Sequence, residues 1–133
     1  VMDKAAAPDY DAVELLRTLT FAVEAGSAGE AELKAMDIPG ITSVQSQSSA
    51  LMEVAAGTAN ACVIDITMAN AMTGEGTGYP NLTIAKELSS EEYGIGFRKD
   101  SDLTAKVNDI MAQLMADGTL DALAAKYSLT LVK

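Results

Sequence analysis

The chain has 133 residues and a net charge of −10, which argues against nucleic acid and anionic membrane surfaces, since both are held through Lys and Arg. Apolar residues make up 49% and charged residues 21%, the balance of a globular domain with one core, and no apolar run reaches the ~20 residues of a membrane helix. With no His and a single Cys, structural zinc, an intrachain disulfide, Cys/His catalysis and a His-based serine triad are excluded.

Val1-Met2-Asp3-Lys4 is not the start of a basic region followed by a long apolar stretch, so it does not read as a signal peptide. Residues 1–18 begin extended, pass Pro8 and carry a short helix from Asp11 to Arg17. Leu19 to Ala25 alternates and is β-rich, which predicts a strand. Ser27 to Met36 predicts a helix, Pro39-Gly40 a turn, and Ile41 to Gln45 a second strand. Ser49 to Ala56 is helical with Gly57 as its stop. Ala61 to Ile64 is a third strand, in which Cys62 reads as a small core residue. A helix follows from Asp65 or Ile66 to Met72, then a loop from Gly74 to Pro80. Leu82 to Ala85 and Tyr93 to Arg98 complete the strands.

From Ser101 the pattern is helical. Leu103, Val107, Ile110, Met111, Leu114 and Met115 form an amphipathic stripe that ends at Asp117-Gly118. Thr119 to Tyr127 is a second helix with Leu120, Leu123, Ala124 and Tyr127 on one side. Strand–helix alternation implies an α/β lobe of three layers, a mostly parallel sheet flanked by helices, followed by two C-terminal helices. Ligands of such sheets bind at the carboxyl ends of the strands.

Two segments fall at those ends. Val23-Glu24-Ala25-Gly26-Ser27-Ala28-Gly29-Glu30 runs from a strand through a glycine turn into a helix. Ser27 followed by Glu30 is a capping box, and the same helix start offers N–H groups at Gly26, Ser27 and Ala28 to a carboxylate. Ala61-Cys62-Val63-Ile64-Asp65 ends in one acid. Asp65 reads as an N-cap, and equally as a carboxylate that receives an ammonium group. A zwitterion such as a free amino acid needs both segments.

These residues resemble the extracytoplasmic substrate-binding proteins of polar amino-acid ABC transporters, which have the type 2 periplasmic binding protein fold. The first segment is similar to the family's V-x-A-G-S/T-x-G-E ligand loop. Gly57-Thr58-Ala59-Asn60-Ala61-Cys62-Val63-Ile64-Asp65 is similar to its G-R-x-D-A-x-x-x-D strand, with Thr58 and Asn60 departing from it. Glu91 to Lys99 is similar to a return strand, and Val107-Asn108 through Lys126-Tyr127 to the C-terminal helices. The resemblance implies that Ser27 and Ala28, beside Gly26, hold a ligand α-carboxylate and that Asp65 holds the α-ammonium. Glu24 falls where the ligand side chain is read. Ser46, Gln47 and Met68 are candidate wall residues.

The resemblance covers a second lobe, residues 1–98 with hinge strands near Met2-Asp3-Lys4 and Gly94-Ile95-Gly96, plus helices in 99–133 that in the family pack on a first lobe. That first lobe, with its aromatic wall and carboxylate-clamping Arg, has no counterpart here; Arg17 and Arg98 do not replace it. Implied are uptake without catalysis, a transporter permease as partner, an extracytoplasmic location, no cofactor and no membrane insertion. The C-terminal stripe would pack back on the lobe or pair with a second copy as a dimer or swap. Three alternatives stand beside this reading. One is an enzyme using Asp65 and Glu24 as an acid/base pair, although the Gly74 to Gly78 loop lacks the Lys of a phosphate loop. Another is a sensor domain. The last is an isolated lobe that binds nothing tightly.

Overall fold

The structure is a computed structural model that describes residues 1–10, 13–90 and 92–132. It divides into two compact units, Val1–Ser89 and Ser90–Lys133.

In the first unit the order is β1 (Met2–Asp3), a 3-10 turn (Ala7–Tyr10), α1 (Val13–Leu16), β2 (Thr20–Glu24), α2 (Ala28–Ala35), β3 (Gly40–Val44), α3 (Gln47–Ala55), β4 (Ala61–Val63), α4 (Ile66–Met72) and β5 (Leu82–Thr83). The strands form one sheet in the order β3-β2-β4-β1-β5. β2 lies parallel to both β3 and β4, whereas β1 runs antiparallel to β4 and β5. The mostly parallel α/β lobe expected from the alternation is therefore present, with β1 inserted into it.

Alternation along β2 divides the core between the two faces of the sheet. Phe21 and Val23 join Leu33 of α2, Leu16 and Ile38 on one face. Ala22 joins Cys62, Leu82 and Ala50, Leu51 and Val54 of α3 on the other. Cys62 is free and buried, and desolvation pushes its thiol pKa up, consistent with a packing role. Gly57, at φ +74, follows α3 as its expected stop.

The second unit holds α5 (Leu103–Ala116) and α6 (Thr119–Tyr127), which pack on each other across Gly118 at φ +81. Two helices alone bury only the strip between them. Ala124 is buried and Val107, Leu114 and Leu120 are half-buried, while Leu103, Ile110, Leu123 and Tyr127 of the expected stripe remain exposed.

Several boundaries differ from expectation. α3 starts at Gln47, two residues earlier than Ser49, because Ser46 caps it. Only Leu82–Thr83 of the Leu82 to Ala85 segment is strand. Tyr93 to Arg98 is not a strand. β-propensity is expressed only by packing on a pleated surface, and Tyr93 and Ile95 stay 83% and 67% exposed instead. The start of the first helix at Asp11 and of the return segment at Glu91 lie outside the described residues.

Candidate functional site

The chain leaves β2 through α2 towards β3 and reaches β4 on the other side of β2, so the sheet order turns back at the carboxyl end of β2. Such a switch point opens a crevice where ligands of parallel sheets bind. Register aligns Ala22 with Cys62 and Val23 with Val63, and the two strands run on into Glu24-Ala25-Gly26-Ser27 and Ile64-Asp65. Three helices begin at this edge of the sheet, α2 capped by Ser27, α3 by Ser46 and α4 by Asp65.

At α2 the Ser27 hydroxyl accepts the Glu30 N–H at 3.2 Å, as a capping box requires. The return arm reaches one residue further back than expected: Glu30 Oε2 accepts the Gly26 N–H at 3.0 Å. Glu30 Oε1 also accepts the Ser43 hydroxyl at 2.6 Å, and Lys34 Nζ lies 3.1 Å from Oε2. The Ser43 hydroxyl first, then the Gly26 N–H and Lys34, lower the Glu30 pKa to about 2. The Ser27 N–H donates to the Glu24 carbonyl at 3.2 Å. Gly26 and Ser27 therefore do not offer open backbone N–H groups, which corrects that part of the sequence expectation. Among the described residues no acceptor meets the N–H groups of Ala28 and Gly29, one step further into the helix.

Glycine is required at two places in this turn. Gly26 sits at φ +75, where a side chain would strain the backbone. A Cβ on Gly29 would lie 2.8 Å from Val63 Cγ1 and 3.3 Å from Val23 Cγ2, so the first turn of α2 is pressed against both strands whose ends form the crevice. Glu24, at the end of β2, is half-buried.

Asp65 is half-buried, and its Oδ1 accepts the N–H groups of Thr67 at 2.8 Å and Met68 at 3.2 Å. The Asp65 N–H donates to Gln47 Oε1 at 2.9 Å. Of the candidate wall residues, Gln47 thus touches Asp65 directly and Met68 donates to its carboxylate. The Ser46 hydroxyl is engaged with Ser49 at 2.9 Å and with its N–H at 3.1 Å. Ser43 is the supporting contact that the motif does not assign, whereas Glu30 is read from it as the capping arm and Gln47 as a wall residue. A glycine in the first turn of a helix was the available signal for Gly29.

Other features lie away from this edge. Arg17 donates from Nε to the Met36 carbonyl at 3.1 Å, beyond the far end of α2. Asn60, at the amino end of β4, accepts the N–H and hydroxyl of Thr20 at 2.9 and 2.8 Å, a packing role. A hollow of about 380 Å³ opens near Met2, Tyr10, Leu19, Val54 and Asn60, and neither Ser27 nor Asp65 lines it. Among the described residues no group of acids or thiols is arranged to hold a metal, and no helix is long and apolar enough to cross a membrane.

No protein-family model and no curated protein matches the chain. Solved structures do. A mutant of ArgBP from T. maritima superposes with a TM-score of 0.73 at 30% identity, over 95% of this chain and 55% of that one. An amino acid ABC transporter substrate-binding protein from Streptococcus pneumoniae, bound to L-arginine, superposes with a TM-score of 0.74 at 24% identity, over 98% of this chain and 56% of that one. The fold is the periplasmic binding protein fold. One is an ArgBP and the other an amino acid ABC transporter substrate-binding protein, and the chain spans about half the length of each.

Proposed function

We propose that the chain contributes half of an amino-acid-binding site for uptake through an ABC transporter. The observation that carries this reading is the adjacency of the Ser27 turn and Asp65 at the carboxyl ends of two neighbouring strands. The ligand α-carboxylate is received by the Ala28 and Gly29 N–H groups and by the Ser27 hydroxyl, whose proton is still available while its oxygen caps the helix. Asp65 receives the α-ammonium.

Glu24 at the end of β2 favours a basic ligand side chain. The ArgBP neighbour and the arginine-bound neighbour make L-arginine the first ligand to test. An extracytoplasmic location and a permease partner follow from the same kinship. Calorimetric titration of the chain against a panel of amino acids, with Asp65→Ala as control, tests the reading. Binding abolished in the control is expected; equal heats from both chains would sink it.

A second reading is self-association, favoured by the exposed apolar residues Leu103, Ile110, Leu123 and Tyr127 of the second unit. It does not exclude the first. Sedimentation velocity over a concentration series should show a dimer. A strictly monomeric species with freely exchanging α5 and α6 amides would end that reading.

A further inference from the structure

We propose that Glu30 is a positioning residue for the binding turn, and that its carboxylate seals the Gly26 N–H so that a ligand carboxylate is directed to Ala28 and Gly29. The ligand half of this assignment rests on the amino-acid-binding function proposed above.

A helix start presents several unpaired N–H groups, and an anion settles on whichever are open. Here the turn is filled by the protein's own anion. Glu30 Oε2 accepts the Gly26 N–H at 3.0 Å and stands 3.1 Å from Lys34 Nζ. Oε1 accepts the Ser43 hydroxyl at 2.6 Å, which ties the turn after β2 to the neighbouring strand β3. The Ser27 N–H is closed by the Glu24 carbonyl. Two successive donors are therefore closed and the next two are open.

The contacts around Glu30 cooperate. Gly26 at φ +75 has a backbone freedom that only a fixed partner removes, and the Glu30 carboxylate is that partner. On the far side, not even a Cβ fits between Gly29 and Val63 and Val23, so the turn cannot relax by moving α2 closer to the sheet. The open N–H groups lie between these two constraints. A helix-capping role alone would need only the Ser27 hydroxyl on the Glu30 N–H, which any residue at position 30 would leave intact. The Ser43 and Gly26 contacts are additional to it.

The test compares the wild-type chain with Glu30→Ala and Glu30→Gln. Gln keeps a carbonyl oxygen for the Gly26 N–H and an amide to fill the space, but loses the charge. The first measurement needs no ligand: a pH titration of the amide resonances by NMR. The Gly26 amide of the wild type should follow a group that titrates well below the ordinary carboxylate range, and that titration should vanish in both variants. The second is calorimetry with L-arginine beside thermal melts of each chain. Glu30→Ala should bind roughly tenfold more weakly, because the turn that aims the Ala28 and Gly29 N–H groups is no longer pinned, with Glu30→Gln recovering most of the affinity. A Gly26 amide indifferent to that titration would overturn the positioning role even where arginine binds. A wild-type Gly26 amide that does follow it, in a chain that binds no amino acid, would leave the turn pinned but refute the ligand reading. An affinity loss in Glu30→Ala that is matched in Glu30→Gln and tracks the loss of melting temperature would reduce Glu30 to a stabilising residue.

Discussion

Gln47 Oε1 accepts the backbone N–H of Asp65 at 2.9 Å, so the first residue of α3 holds the residue that caps α4. The two residues start helices that follow different strands, and β4 lies between them in sequence. This bond fixes where the Asp65 backbone sits and so the position from which its carboxylate caps α4. Gln47→Ala leaves a partly buried N–H without its acceptor and should cost about 1–3 kcal/mol. Chemical denaturation reads that cost. Calorimetry with L-arginine should show weaker binding as well, because the carboxylate is carried by the displaced backbone.

Asp65 combines a local role with the proposed ligand role, and the two separate by substitution. Asp65→Ala removes the acceptor of the Thr67 and Met68 N–H groups and should destabilise the chain by about 1 kcal/mol, the usual value of a cap. Asp65→Asn keeps a capping oxygen, so its melting temperature should stay near that of the wild type. It lacks the charge that an ammonium requires, so ligand binding should be lost in both variants. Equal binding by Asp65→Asn and wild type would remove Asp65 from the site.

The lobe was legible because its signals are local. Alternation at Leu19 to Ala25, caps at Ser27 and Asp65, and the stop at Gly57 each arise within a few residues, and the helices and parallel strands they predict are present. What could not be read depends on pairing across the sheet. The sequence reads as extended near Met2-Asp3-Lys4, but that this segment pairs antiparallel inside the sheet depends on its partners Ala61, Leu82 and Thr83. Tyr93 to Arg98 shows the converse, β-prone residues that form no strand. The motif placed Ser27, Ala28 and Asp65 at strand ends. The capping box implies that Glu30 reaches back to the turn, but not that it also meets Ser43, because Ser43 comes from the next strand and its hydroxyl carries no sequence period.

Acid should loosen this network. The Glu30 pKa falls from its ordinary value of 4.5 to about 2 in the folded chain, and that of Asp117 is lowered by Thr119. A depressed carboxylate contributes stability at pH values above its unfolded pKa, and loses it as pH falls towards the folded pKa. The contribution of Glu30 is therefore complete near neutrality and declines between pH 4.5 and about 2. Melting temperature measured across that window should fall for the wild type and fall less for Glu30→Gln. Parallel acid curves for the two chains would show that the Glu30 contacts do not differ between folded and unfolded states.

The tightest packing at the site lies behind it. A methyl group added at Gly29 would meet Val63 Cγ1 at 2.8 Å and Val23 Cγ2 at 3.3 Å, and Val23 is fully buried. Val23 has no room to retreat and Val63, though half-buried, is a stiff β-branched side chain, so Gly29→Ala should push the first turn of α2 outward or displace Val63. Overpacking of this kind costs about 1–3 kcal/mol. Relief should come from the partner residue: Val63→Ala in the Gly29→Ala background removes the closer methyl group and should restore part of the stability. A double-mutant cycle by denaturation measures that coupling. Additive losses would mean that α2 meets β4 elsewhere, and that Gly29 is not what presses the turn against the strand ends.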